Sequence, residues 1–399
     1  MFSREKLGSI FDALKEKDID MWIIAGQETA TNSEPVLALL TDTDFIGLTA
    51  LIFCKDGTSS VVCTPIDYNG YLHEGIFDEV IAFPNSFVES VKEVVERKSP
   101  EKIALNYSMD NPSADGLSVG IFNLLKKAFS LANYQGELVS SEDMVLKIRS
   151  IKTEEEINRI KNSCIEAEKI FFDAKKMIKA GTNCKDIYNF FKQETKRKGF
   201  TFSWPKSCNP AVSSGPKYPL GHTGAIDHVI QKGDLVNIDF GIVVDGYACD
   251  MQRMYYVLKD DENDAPEDLK KAFGVVKKAI ELACSKLRPG VSGTEVDAAV
   301  RDFIIKSGFD DFDHALGHSV GRLAHDGGPL LAPARQRYKN NKFIKTEISE
   351  NMIFALEPSL NTRAGHLGLE DEVVVKKEGA EFLIQPQEEL YIVGGTLNV

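Results

Sequence analysis

Two aspartates stand near the ends of an apolar segment, NIDFGIVVDGYACDMQR, residues 237–253. A buried strand does not hold carboxylates unless something neutralises them. Asp245-Gly246 supplies the positive φ angles of a type I′ turn, which pairs Val244 with Tyr247 and, counting back, Gly241 with Asp250. Side chains alternate with period two along a strand, so Asp239 projects on the same face as Gly241 and Asp250. The two carboxylates become diagonal neighbours, about 7 Å or less apart. Carboxylates that close repel, and a divalent cation between them removes the difficulty. A surface hairpin with polar edges accounts for the pair alone equally well.

Histidines extend the pattern. Six of the seven lie between residues 222 and 366, and three fall in HALGHSVGRLAHDGGP (314–329): His314, His318 and His325. A lone histidine is ordinarily a core or surface residue. Three in so short a span, with glycines between them, suggest backbone packed around a cleft. FALEPSL (354–360) puts Glu357 at the end of an apolar strand, and LGLEDEVVV (367–375) puts Glu370 at the head of another. Each glutamate alone is ordinary. With Asp239, Asp250 and His318 they make an oxygen-rich set of five ligands, enough for two divalent ions. Four carboxylates and two dications sum near zero charge, which leaves room for a bridging hydroxide. One imidazole among oxygens suits Mn²⁺, Co²⁺, Fe²⁺ or Zn²⁺.

The elements that would position these residues occupy a chain of 399 residues, long enough for two domains. With 43% apolar and 27% charged residues the chain is globular, and its net charge of −13 argues against nucleic acid or an anionic membrane as partner. Seven scattered cysteines with no CxxC pair fit a reducing compartment and argue against a disulfide framework or a thiolate zinc site. The first residues are charged and amphipathic, without the apolar core of a signal peptide, and no apolar run approaches the ~20 residues of a membrane span. A cytoplasmic protein is expected.

Residues 1 to about 145 read as alternating helices and short strands. A helix is expected over Phe2–Lys17, a buried strand over MWIIA (21–25) and a hairpin of TALIFC and SSVVCTP around Asp56-Gly57. A further helix, Ser86–Arg97, and a strand, Lys102–Asn106, continue the alternation. A boundary falls near Leu146–Lys152. Thr153 and Glu156 then form a capping box before an amphipathic helix with the stripe Ile157, Ile160, Cys164, Ala167, Phe171, Ala174 and Ile178, stopped by Gly181. A shift of 109 residues lays Ala174, Ile178, Gly181, Ile187, Gly199 and Phe200 on Ala283, Leu287, Gly290, Val296, Gly308 and Phe309. The repeat predicts a duplicated unit of helix pair plus β-hairpin, packed as a pseudo-twofold α+β domain.

In order and spacing, DFG with GYACDMQR, HALGHSVGRLAHD, EP and LED resemble the pita-bread metallopeptidases, which include methionine aminopeptidase, prolidase and aminopeptidase P. The match covers about 150–395. The preceding residues resemble the creatinase-type N-terminal domain of the aminopeptidase P and prolidase branch, which methionine aminopeptidases lack. The resemblance implies an α/β creatinase-like N-terminal domain (1–148) and a pita-bread catalytic domain (149–399). It implies hydrolysis of the Xaa-Pro bond, at the N-terminus of peptides or in dipeptides, by a metal-bridging hydroxide. Two divalent ions are implied, Mn²⁺ foremost, with Co²⁺, Zn²⁺ or Fe²⁺ as alternatives.

By position, Asp239 would chelate one ion, His318 and Glu357 the other, and Asp250 and Glu370 would bridge. Glu357 would also accept the proton of the attacking water. His222, His314 and His325 match three substrate-side histidines that would hold the carbonyl and steady the tetrahedral intermediate. The partner is a peptide or dipeptide with proline second, and a homodimer is implied. The same fold also serves a metal-free amidinohydrolase, creatinase, and non-catalytic binding proteins, both of which predict lost ligands. Two positions depart from the family pattern: Gly368 stands where the family often has Arg, and Gln252 replaces the usual Thr.

Overall fold

A computed structural model describes residues 4–29, 34–217 and 224–394. The chain packs as two compact units, Met1–Arg149 and Ser150–Val399.

The first unit is built on a six-stranded sheet in the order Glu79–Ala82, Ser59–Cys63, Thr49–Cys54, Met21–Gly26, Lys102–Leu105, Glu137–Ser140. The three middle strands of the N-terminal hairpin region, Met21–Gly26, Thr49–Cys54 and Ser59–Cys63, are buried at every residue, as expected for strands covered on both faces. Period-two alternation sends Trp22, Ile24 and Phe53 to a core shared with Ile10, Leu14 and Tyr71. Met21, Ile23 and Ile52 face Val91, Val95, Leu125 and Ala128 on the opposite side. The expected helices are Arg4–Glu16 and Phe87–Lys98, the latter capped by Ser86. Helices Tyr68–Glu74, Val119–Leu131 and Glu142–Ser150 complete the two layers.

The second unit contains the duplication as two helix pairs, Glu154–Ala174 with Cys184–Arg197 and Glu267–Lys286 with Gly293–Lys306. The second helix of each pair opens with a capping box, on Asn183 and on Ser292, which the repeat also places in register. Gly181 and Gly290 have positive φ angles, 90° and 88°, and each donates its N–H to a distant carbonyl, of Ile230 and Ile348, at 2.9 Å. One expectation is corrected. The first helix ends at Ala174, not near Gly181, because Lys175 and Met177 make tighter i→i+3 bonds to Phe172 and Ala174. Ile178 stays buried in the turn that follows.

Between the helix pairs lie two sheets. One runs Tyr391–Val393, Met251–Val257, Leu235–Phe240, Ala211–Ser214, and the other Leu330–Leu331, Gly317–Ser319, Ile353–Leu356, Asp371–Lys376, Gly379–Phe382. An antiparallel bridge, Gln252 with Glu370, ties the strand from one sheet to the strand head of the other. Each helix pair packs on a core that draws side chains from both sheets. The unit is thus a mixed α/β body with its sheets inside and its helices outside. No helix among the described residues is long and apolar enough to cross a membrane.

Candidate metal centre

The hairpin holds one register from its tip to Asp239. Val244 pairs with Tyr247, Val243 with Ala248, Phe240 with Met251 and Asp239 with Gln252. Asp245 and Gly246 have φ angles of 50° and 78°, as a type I′ turn requires. Asp239 and Asp250 therefore share a face, and the other strand ends bring three more side chains to it. His318 lies in the strand Gly317–Ser319, Glu357 follows Ile353–Leu356, and Glu370 precedes Asp371–Lys376.

Nε2 of His318 is 3.8 Å from Asp250 Oδ2, 3.8 Å from Glu357 Oε1 and 3.7 Å from Glu370 Oε1. These separations are too long for hydrogen bonds. Ligand atoms of His318, Glu357 and Glu370 lie within 4.8 Å of one another, as do those of Asp239, Asp250 and Glu370. Glu370 belongs to both groups. Burial, then the charge of Glu370, raises the carboxyl of Asp239 well above its usual range. The same two causes, with Asp239 adding to them, raise Asp250 and Glu357. Among the described residues no lysine or arginine forms an ion pair with any of the four carboxylates, and Asp239 Oδ1 is buried without a partner. Crowded acids, an orphaned oxygen and an imidazole edge facing three of them fit divalent cations, which would supply the missing positive charge.

Of the other histidines named from the sequence, His314 sets Nδ1 2.8 Å from the Ala315 carbonyl and Nε2 2.8 Å from Ser359 Oγ, with Glu357 Oε2 3.8 Å away. Burial holds its pKa below the usual imidazole range. His325 crosses the ring of His318 edge-on at a centroid distance of 4.3 Å and groups with Asp250 and His318. His222 lies outside the described residues.

Several supporting groups escape a reading of the sequence. Gln252, noted there only as a replacement, donates Nε2 to Glu370 Oε2 at 2.8 Å. Glu372 accepts the Asp250 N–H at 2.6 Å and the Cys164 thiol at 3.1 Å, and burial pushes its carboxyl up to about 8. Its signal was available: it follows Glu370 by two residues and so shares its face. Arg253, fully buried, reaches Glu168 at 2.7 Å and Asp371 at 3.0 Å while donating to the carbonyls of Gln252 and Glu370. It clamps the two strands that meet at the bridge.

Two helix pairs thus flank a mixed α/β interior whose acidic cluster is suited to hold divalent cations. A family model described as metallopeptidase family M24 matches residues 158–377, more than half the chain, and the chain belongs to that family. It is a metallo-exopeptidase of the pita-bread prolidase and aminopeptidase P branch. An Xaa-Pro dipeptidase of Pyrococcus horikoshii is 27% identical over 276 residues, 69% of this chain and 72% of the relative. One from Lactobacillus helveticus is 28% identical over 286 residues, 70% of this chain and 71% of the relative. The crystal structure of an X-Pro aminopeptidase from Thermotoga maritima superimposes with a TM-score of 0.74 at 23% identity, covering 96% of this chain and 100% of the other.

Proposed function

We propose that the chain is a dinuclear metal-dependent hydrolase that cleaves the Xaa-Pro bond at the N-terminus of peptides or in dipeptides. The observation that carries this reading is the convergence of Asp239, Asp250, His318, Glu357 and Glu370, with no lysine or arginine among the described residues in an ion pair with the four carboxylates. The Xaa-Pro dipeptidases among its relatives support the choice of bond. These five residues would hold two divalent ions, Mn²⁺ foremost. When bound, such ions supply Lewis-acid activation of water and of the scissile carbonyl.

The chain's own groups then divide the work. Glu357, with a basicity raised by burial and by Glu370, is suited to accept a proton from the attacking water. His325, on the exposed side of His318, and His314, beside Glu357, are placed to steady the oxygen that gains charge as the carbonyl carbon becomes tetrahedral. His222 is assigned to the same side by its motif alone. An Xaa-Pro bond has no N–H to grip, so recognition falls on the carbonyl and the ring. The reading assigns 1–148 as a creatinase-like N-terminal domain and 149–399 as the catalytic domain. The free cysteines support a reducing, cytoplasmic setting, and a homodimer completes the proposal.

The test is to strip the protein with a chelator, add back Mn²⁺, Co²⁺, Zn²⁺ or Fe²⁺ singly, and follow hydrolysis of Xaa-Pro peptides while counting bound metal. Restored cleavage with two ions per chain is expected. Stoichiometric metal with no cleavage of any Xaa-Pro substrate would sink the peptidase assignment.

A further inference from the structure

The ribbon formed by Ser359–Thr362 and Gly365–Gly368 carries a second set of polar groups beside the carboxylates. Its register pairs Ser359 with Gly368, Leu360 with Leu367 and Asn361 with His366. Leu360 and Leu367 are buried in the hydrophobic core, so alternation puts Ser359, Asn361, His366 and Gly368 on the other face. That face meets the metal centre. Ser359 Oγ is 2.8 Å from His314 Nε2, and Gln252, which donates to Glu370, sets its Oε1 2.9 Å from where a β-carbon on Gly368 would stand. His366 Nε2 lies 3.2 Å from that same point. Gln252 and His366 thus close in on the place that glycine leaves free.

The two ring nitrogens of His366 differ. Nδ1 is 3.3 Å from Asn361 Oδ1. That oxygen can only accept, so the ring proton sits on Nδ1 and Nε2 presents a lone pair. Nε2 is buried without a hydrogen-bond partner, although the residue as a whole is only partly buried. Burial, with His314 nearby, pushes the pKa of His366 down to about 4, so the ring is uncharged at neutral pH. Of the nearby cations among the described residues, Arg301 is held by Asp297 and Asp311, whereas exposed Arg337 donates to the neutral Tyr338 hydroxyl at 2.6 Å and keeps its charge.

The layout orients a peptide. The loaded centre would take the scissile carbonyl and the residue before it, which leaves the imidazole wall for the part beyond the scissile bond. Proline has no N–H, so the first backbone donor there belongs to the next residue or to a terminal amide. A free dipeptide offers only a carboxylate there, which would set its negative charge against the His366 lone pair. We propose that His366, held by Asn361 and lying over Gly368, is a specificity-determining residue that accepts an N–H beyond the scissile bond. It thereby selects proline-second peptides of three or more residues, and terminal amides, over free Xaa-Pro dipeptides. The inference rests on the Xaa-Pro reading above.

Metal-loaded protein is assayed with an Xaa-Pro dipeptide, its amide and a tripeptide extended from it. Expected kcat/KM for the amide and tripeptide exceeds that for the dipeptide by about 10-fold or more, since an unpaired polar group discriminates strongly. His366→Ala should bring the ratio toward one with all three still cleaved, and His366→Arg should favour the dipeptide. A wild-type protein that cuts the free dipeptide as well as the amide overturns the proposal and turns attention to Arg337 as a carboxylate receptor. An unchanged ratio in folded His366→Ala overturns it as well. Thermal shifts of the wild type with L-prolinamide and L-proline read the subsite without turnover: larger stabilisation by the amide is expected, and the reverse order is fatal. Cleavage of none of the three substrates counts against the Xaa-Pro reading instead, and the thermal-shift order still decides the subsite.

Discussion

Glu34 in the first unit and the four carboxylates of the second are all withdrawn from water, with different company. Glu34 accepts the Asn106 amide at 3.0 Å and the Val36 N–H at 3.2 Å, and Asn106 is itself fixed by Trp22 Nε1 at 2.7 Å and Ser141 Oγ at 2.5 Å. Burial pushes its carboxyl up to about 7, against the pull of those donors. Neutral donors and a retained proton are enough to settle one isolated acid. Asp239, Asp250 and Glu357 have instead one another and Glu370 as neighbours, and their mutual charge adds to the cost of burial. Four acids cannot all be quieted by protonation without losing the basicity that hydrolysis needs. A buried acid with donors is architecture; buried acids facing acids are a receptor for something positive.

Substitutions in the cluster should have the largest effect. Asp250→Ala or His318→Ala is expected to abolish Xaa-Pro hydrolysis and to lower the bound metal count, measured together on the same preparation. A variant that keeps both would end the distinction between the two regions. Gln252→Ala, which removes a donor from Glu370 without touching a ligand, should cost about 10–100-fold in metal affinity or activity, read by metal titration.

The remaining two predictions concern stability. Because the folded-state pKa of Glu34, about 7, lies above its usual 4.5, the native state holds a proton that the unfolded chain releases. This stabilisation is complete below pH 4.5 and is lost as pH rises through 7. Glu34→Gln should therefore stabilise the protein at pH 8 by up to about 3 kcal/mol relative to wild type, with a raised Tm, and change it little at pH 4.5. Calorimetry that shows the same shift at both pH values would put Glu34 in another protonation state. Last, Asp239→Asn should raise Tm of chelated protein by a few degrees, about 2–4 °C for each kcal/mol of repulsion removed. In metal-loaded protein the sign should reverse.

The hairpin was the most legible part of the site. Asp245-Gly246 is a local device, and a fixed register with period two carries its information outward to Asp239 and Asp250 without any tertiary contact. The duplication was legible because Gly181 and Gly290 answer the same backbone requirement. What failed was local too, in a different sense. The apolar stripe continued through Ile178 while the backbone had already tightened at Lys175, since burial of a side chain does not specify whether a helix or a turn presents it. The pairing of Ser359 with His314, and of Gln252 with Glu370, depends on how separate strands come to rest, and no spacing in the sequence encodes that. Glu372 lay in plain view two residues beyond Glu370, but its partners, Asp250 and Cys164, are far along the chain.

The bridge between Gln252 and Glu370 has a consequence for how the protein breathes. Its hydrogen bonds, 3.2 and 3.5 Å long, fasten the two half-sheets at a residue that is also a member of the acidic cluster. Parting the halves at this clasp and scattering the ligands are therefore one event. Cations gripping the cluster would act as a rivet through it, slowing amide hydrogen exchange at both residues, so that the lifetime of the closed seam and the residence time of the metal become two readings of a single clock.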